Sequence, residues 1–148
     1  MTKNKGEKAV GSFRLGFNCA QSVITAFSDY TKLDDSTALA LASGFGAGMG
    51  SLQDTCGAVT GAFMVFGLHV GHKFDDNAHR KAKSEKLIRE FDKRFKEIHG
   101  TTSCRKLLQY DLNDREQVKL ARENCRFEKV CEQCIKDSIQ IVETMLEE

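Results

Sequence analysis

Cys56-Gly57-Ala58-Val59-Thr60-Gly61-Ala62-Phe63-Met64-Val65-Phe66-Gly67-Leu68-His69 is the stretch whose reading decides the fold. It shows no alternation of period two, and Gly57, Ala58, Gly61 and Ala62 recur at spacings of three and four. Those spacings lie along one face of an α-helix. Small residues there make a groove that lets a second helix pack closely, while Phe63, Phe66 and Leu68 cover other parts of the surface. A buried helix over 55–69 is the expectation. The apolar run 55–71 is short for a bilayer span and suits a core helix better.

Helical signals continue on both sides, and proline is absent. A helix over 7–15 is expected to stop at Gly16, a residue fitted to a left-handed end. Asn18 with Gln21 three residues on forms a capping-box start for a helix over 19–30, with the stripe Ala20, Val23, Ile24, Phe27. Asp34-Asp35-Ser36 opens a third helix through 43. Gly44-Phe45-Gly46-Ala47-Gly48-Met49-Gly50 follows, with four glycines at alternate positions. No Gly-Lys-Ser/Thr follows and no strand precedes it, so it reads as a tight turn against the cysteine helix, not a phosphate or dinucleotide loop.

Residues 76–98 read as a long amphipathic helix with the seam Leu87, Ile88, Phe91, Phe95 and Ile98, ended by Gly100. Ser103 starts a short helix, and Asn113 with Glu116 resembles a capping box for 114–123. The last helix is expected over 127–146, its inward stripe running Cys131, Ile135, Ser138, Val142, Met145. The fold class is therefore all-α: a compact bundle of about six to seven helices in a single domain over 1–148, the glycine-rich turn packed on the central small-residue helix.

The 148 residues carry 22 Lys and Arg against 21 Asp and Glu, a net charge of +1. A nucleic-acid surface needs a basic excess. The basic residues of 80–96 alternate with Glu85, Glu90 and Asp92, which describes a solvated helix face. Residues 1–8 are charged with no apolar stretch behind them, so no secretory leader and no membrane span is expected, and the location reads as cytoplasmic. In that compartment thiols stay reduced, so six cysteines point to metal binding or redox work, not structural disulfides.

Three of the six stand where helices open, each shortly after a capping type: Asn18-Cys19, Asp54-Thr55-Cys56 and Ser103-Cys104. Unpaired N–H donors and the positive helix end favour thiolate over thiol at such places. Cys131 heads the inward stripe of the last helix. No Ser-His-Asp or HExxH arrangement appears, and Asp54, Asp75 and Asp76 form no evident acid–base pair. His69 and His72 stand at i and i+3 near a helix end, a spacing open to a metal pair or to plain helix-terminal cations. His79 and His99 lie in charged segments expected to be exposed.

These residues resemble the small family named for its motif C_GCAxxG_C_C and described as redox-active. The resemblance rests on Gly16-Phe17-Asn18-Cys19-Ala20-Gln21-Ser22-Val23, on Ala42-Ser43 with the glycine-rich turn, and on Cys56-Gly57-Ala58-Val59-Thr60-Gly61-Ala62, where the order is Cys-Gly-Ala and not Gly-Cys-Ala. Cys104 with Leu107-Leu108, and Cys131 with the terminal amphipathic helix, complete it from about residue 10 onward. Carried over by position, the family's cysteines are Cys19, Cys56, Cys104 and Cys131, with Cys125 and Cys134 outside the set. Longer relatives joined to c-type haem segments imply a redox role and an iron–sulfur cluster. Haem c itself is not expected, because Cys131-Glu132-Gln133-Cys134 is followed by Ile135 where attachment needs His.

The leading expectation is a shared Cys₄ site of Cys19, Cys56, Cys104 and Cys131 holding an iron–sulfur cluster or zinc, for electron transfer or redox sensing with an unidentified redox partner. A second is a thiol–disulfide protein cycling Cys131 and Cys134, a CxxC on a helix, with Cys125 nearby as a third thiol. A third is a structural zinc or helical interaction module, its cysteines small core residues and its groove serving a homodimer.

Overall fold

The computed structural model describes residues 4–148. Asn4 caps α1 (Lys5–Arg14), and Gly16 at φ 104° turns the chain into α2 (Cys19–Ala26). The capping box at α2 is complete: Asn18 Oδ1 accepts from Gln21 N at 2.8 Å, and Gln21 Oε1 accepts from Asn18 N at 2.9 Å. The helix expected to reach residue 30 breaks at Phe27, whose φ of −107° interrupts it before the one-turn α3 (Ser28–Thr31). Asp34 caps α4 (Asp35–Ala42).

Next comes the glycine-rich turn, then α5 (Gly57–Lys73), α6 (Asn77–His99), α7 (Cys104–Leu108) and α8 (Arg115–Glu123). A π-turn over Phe127–Cys131 leads into α9 (Glu132–Glu147). Among the described residues there are nine α-helices and no strand, so the all-α class holds. The count exceeds six to seven because one-turn pieces such as α3 and α7 stand as separate helices. No helix of the described residues is long and apolar enough to cross a membrane.

α5 is the central element. Ala58, Val59, Ala62, Val65 and Phe66 are buried among α2, α6 and α9. A side chain at Gly57 would put its Cβ 2.9 Å from Cys19 Cβ, and one at Gly61 would stand 3.0 Å from both Ala20 O and Val23 Cβ. The expected small-residue groove is therefore where α2 crosses, and Cys19 comes against the start of α5.

The turn over 44–50 packs against the start of α2: a Cβ at Gly46 would stand 2.5 Å from Asn18 Cβ. Asn18 Nδ2 also donates to the Ala42 and Ser43 carbonyls at 3.1 and 3.2 Å, so one side chain ties the end of α4 to the start of α2. Positive φ persists at Ala47, Gly48, Met49, Gly50, Ser51 and Gln53. For the non-glycine residues this is costly left-handed backbone, held by Gln53 N donating to Ala47 O and Asp54 N donating to Gly48 O.

Two expected details change. On α6, Phe91 and Phe95 are buried but Ile98 is 57% exposed. The i+4 step from Phe95 leads to His99, whose ring lies 4.5 Å from that of Phe95 and whose Nε2 donates to Asp137 at 2.9 Å. His99 is thus half-buried, not exposed. On α8 the cap is Asp114, which accepts from Glu116 N and Gln117 N, while Asn113 Nδ2 donates to Ser51 O at 2.9 Å.

Candidate functional site

A cleft of about 300 Å³ lies where α2, α5, α7 and the π-turn with α9 meet. Cys19, Cys56, Cys104, Cys131 and Cys134 all line it, against walls that include Phe13, Phe17, Leu107, Leu112 and Val130. The four cysteines expected to converge do converge, and Cys134 joins them. Cys125 stays outside, exposed after α8 in left-handed backbone.

The starts of α5 and α7 are fastened to each other. Cys56 N donates to Thr102 O at 2.7 Å and Cys104 N to Asp54 O at 2.6 Å, with an antiparallel bridge between Thr55 and Ser103. This fixes two cysteines from distant parts of the chain as if on neighbouring strands. Gln53, buried at the head of this pairing, donates from Nε2 to Tyr110 O and accepts at Oε1 from Leu112 N, both at 2.8 Å. Its side chain also hydrogen-bonds Cys104. Sequence reasoning missed Gln53, because a glutamine after a glycine-rich turn carries no chemical signature of its own.

The capping pattern at the sulfurs differs from expectation in one respect. Asn18 and Ser103 cap their helices through side-chain oxygens, but Asp54 does not cap α5. Cys56 itself occupies the N-cap position, with no side-chain cap, and the Val59 N–H donates to its carbonyl at 2.9 Å. Cys19 and Cys104 are first helical residues instead.

The thiols consequently differ in acidity. The Cys134 S–H donates to Cys56, and this, with the Ala58 and Val59 N–H groups, holds Cys56 below the ordinary thiol range despite burial. Cys134, donating that bond and buried, is pushed far up. Cys19 is raised well above its ordinary value by its hydrogen bond with Cys131, then by burial. Burial, followed by the nearby Cys56 and Cys131, pushes Cys104 up to about 12, against the Gln53 bond. Helix starts alone do not set these acidities: Cys56 is lowered, whereas burial among other sulfurs outweighs the helix end at Cys19 and Cys104.

The sulfurs influence one another across the cleft: Cys131, Cys56 and Cys104 raise Cys19, and Cys56 and Cys131 raise Cys134. The π-turn shapes this arrangement. It inserts an extra residue into the helical register and brings Phe127, Val130 and Cys131 to the cleft wall while α9 buries Cys134, Ile135, Ser138, Val142 and Met145. Glu132, 5% exposed, is held by a bidentate Arg14 at 2.7 and 3.1 Å, tying α1 to α9 beside the cleft.

The histidines stand elsewhere. His72 Nε2 donates to Thr31 O at 2.7 Å, and His69 packs edge-on to Tyr30 with its pKa lowered by burial. His79 stacks on Phe74 and bonds Asp76. Among the described residues, no three His, Cys, Asp or Glu side chains stand close enough to hold a single metal ion.

Fold and site together define an all-α protein with a cysteine-lined apolar cleft. Residues 17–145 match the family described as "Putative redox-active protein (C_GCAxxG_C_C)", and the chain belongs to that family. Searches of curated proteins and of solved structures found no match.

Proposed function

We propose that this chain is an electron-transfer or redox-sensing protein whose cleft holds an iron–sulfur cluster, with Cys19, Cys56, Cys104 and Cys131 as ligands. The observation that carries the reading is the convergence of thiols from four separate helical segments on one cleft of about 300 Å³. Soft thiolates select iron–sulfur clusters and zinc over hard cations. Between these, spacing favours the cluster. Mononuclear zinc draws four ligand atoms to about 2.3 Å from one point, whereas no three of the described His, Cys, Asp or Glu side chains stand that close here. Thiolates bound at separate iron atoms can stand further apart.

When bound, the cluster supplies one-electron exchange. The chain's own contribution is electrostatic and steric. The first-turn N–H groups of α5 favour negative charge at Cys56, an electrostatic influence that raises a cluster's potential. Phe13, Phe17, Leu107, Leu112 and Val130 thin the water around the sulfurs. Gln53 and the Thr55–Ser103 bridge hold Cys56 and Cys104 in register.

The test is purification without air, followed by an absorption spectrum and iron, sulfide and zinc content per chain. Iron with sulfide and visible charge-transfer bands, lost in Cys56→Ala, is the expected result. A colourless, metal-free protein with its full helical circular dichroism refutes the reading. Zinc without sulfide replaces the cluster by a structural metal.

A further inference from the structure

We propose that Cys56 and Cys134 form a reversible disulfide by exchange with low-molecular-weight disulfides, making Cys56 a ligand that oxidation can withdraw. The pair stands on its own contact, and only the consequence for ligation rests on the cluster reading above.

Cys134 lies outside the family's four cysteines, yet it lines the same cleft and its S–H donates to Cys56. The approach of the two segments is pinned one helical turn further on. Ser138, at i+4 from Cys134 and so on the same face of α9, donates from Oγ to Ala58 O at 2.7 Å. Ala58 lies two residues after Cys56, in the first turn of α5. The other half of the CxxC, Cys131, belongs to the π-turn that precedes α9, off the regular helical register. The packing of α9 on the start of α5 thus favours a dithiol across the two helices over one within the CxxC.

The chemistry balances with a small disulfide RSSR as oxidant. The Cys56 sulfur, at the N-cap of α5, attacks one sulfur of RSSR. The S–S bond breaks, RS⁻ leaves with its electron pair, and a Cys56–SR mixed disulfide forms. Cys134 gives its proton to the departing thiolate and attacks Cys56 Sγ; the Cys56–SR bond breaks and a second RS⁻ leaves. Two protein sulfurs lose two electrons, and RSSR becomes RSH and RS⁻. A small thiol reverses the sequence. While the bond stands, Cys56 has no thiolate to offer a metal.

The test treats the full chain, purified without air, with graded glutathione disulfide, blocks free thiols with N-ethylmaleimide and maps linked peptides by mass spectrometry. The expected result is a dominant Cys56–Cys134 link, with iron leaving in proportion to it. In Cys134→Ser the link is absent and the mixed disulfide at Cys56 persists. A dominant Cys131–Cys134 or Cys19–Cys131 link, or no internal link, in the parent chain overturns the proposal. A Cys56–Cys134 link in a chain that never carries iron keeps the dithiol and removes the cluster. The wild-type map needs no variant to fold.

Discussion

Replacing Gly61 by alanine tests the crossing of α2 over α5, on which the position of Cys19 depends. The new methyl would stand 3.0 Å from Ala20 O, 3.0 Å from Val23 Cβ and 3.2 Å from Ala20 Cα. Ala20 and Val23 are fully buried, so α2 itself must yield, not the tip of a flexible side chain. Overpacking a close-packed core costs about 1–3 kcal/mol, and alanine returns about 1 kcal/mol of helix propensity. The net expectation is a loss of about 1 kcal/mol, within a span from near zero to about 2, the difference of those two effects. Gly67 on the same helix is the control. It is exposed, with nothing within 4 Å of an added Cβ, so Gly67→Ala keeps only the propensity gain of up to about 1 kcal/mol. Urea unfolding followed by circular dichroism, under reducing conditions and at matched metal content, should place the two variants on opposite sides of the parent. If Gly61→Ala is as stable as Gly67→Ala, the helices do not cross there, and Cys19 loses the support that brings it to Cys56.

Asn18→Ala should cost about 1–2 kcal/mol in the same assay, at the upper end for a cap because the side chain also serves two carbonyls of α4; a change under about 0.5 kcal/mol contradicts that role. Gln53→Ala leaves Tyr110 O and Leu112 N without their partner, an expected loss of about 1–3 kcal/mol, with faster amide exchange confined to 110–112; unchanged exchange there refutes the clamp. In metal-stripped, reduced protein, iodoacetamide should label Cys56 below the ordinary thiol pH range and leave Cys104 unlabelled at pH 10; the reverse order refutes the assigned acidities. The same shifts set a sign for stability. Cys104 is raised in the folded state from about 9 to about 12, so its contribution is intact below pH 9 and falls as pH rises from about 9 to about 12, the unfolded chain releasing its proton first. Cys104→Ser should flatten that alkaline decline, measured as the urea midpoint against pH, and an unchanged slope assigns the decline to other groups.

Much of the helical framework was legible because local signals act locally. The Asn18 and Gln21 box, the Asp34 and Ser103 caps and the left-handed ends at Gly16 and Gly100 all satisfy helix-end groups within a few residues. The groove at Gly57 and Gly61 was legible for the same reason, since its spacing is a property of one helix. What escaped was set by tertiary competition. Asp54 looks like a cap, but its carbonyl is engaged by Cys104 N, and the pairing of 53–56 with 102–105 leaves the N-cap position to Cys56. Asn113 and Asp114 are both good caps in isolation, and the contact of Asn113 with Ser51 decides between them. His99 replaces Ile98 at the seam because Asp137 on α9 supplies it a partner.

The cysteines divide along the same line. That Cys19, Cys56, Cys104 and Cys131 would meet followed from helix starts, an inward stripe and the family motif. That Cys134 would meet Cys56 did not, because i and i+3 spacing on a regular helix directs attention to Cys131. The π-turn breaks that regularity at Cys131 itself. An extra residue in one turn separates the direction of Cys131 from that of Cys134. The apolar cleft then differentiates the sulfurs it gathers. Burial and neighbouring sulfurs raise Cys19, Cys104 and Cys134, while Cys134 and the first-turn N–H groups of α5 lower Cys56. A centre so arranged has one thiol more acidic than Cys19, Cys104 and Cys134, and it is there that metal loading, with release of protons, or disulfide exchange would start.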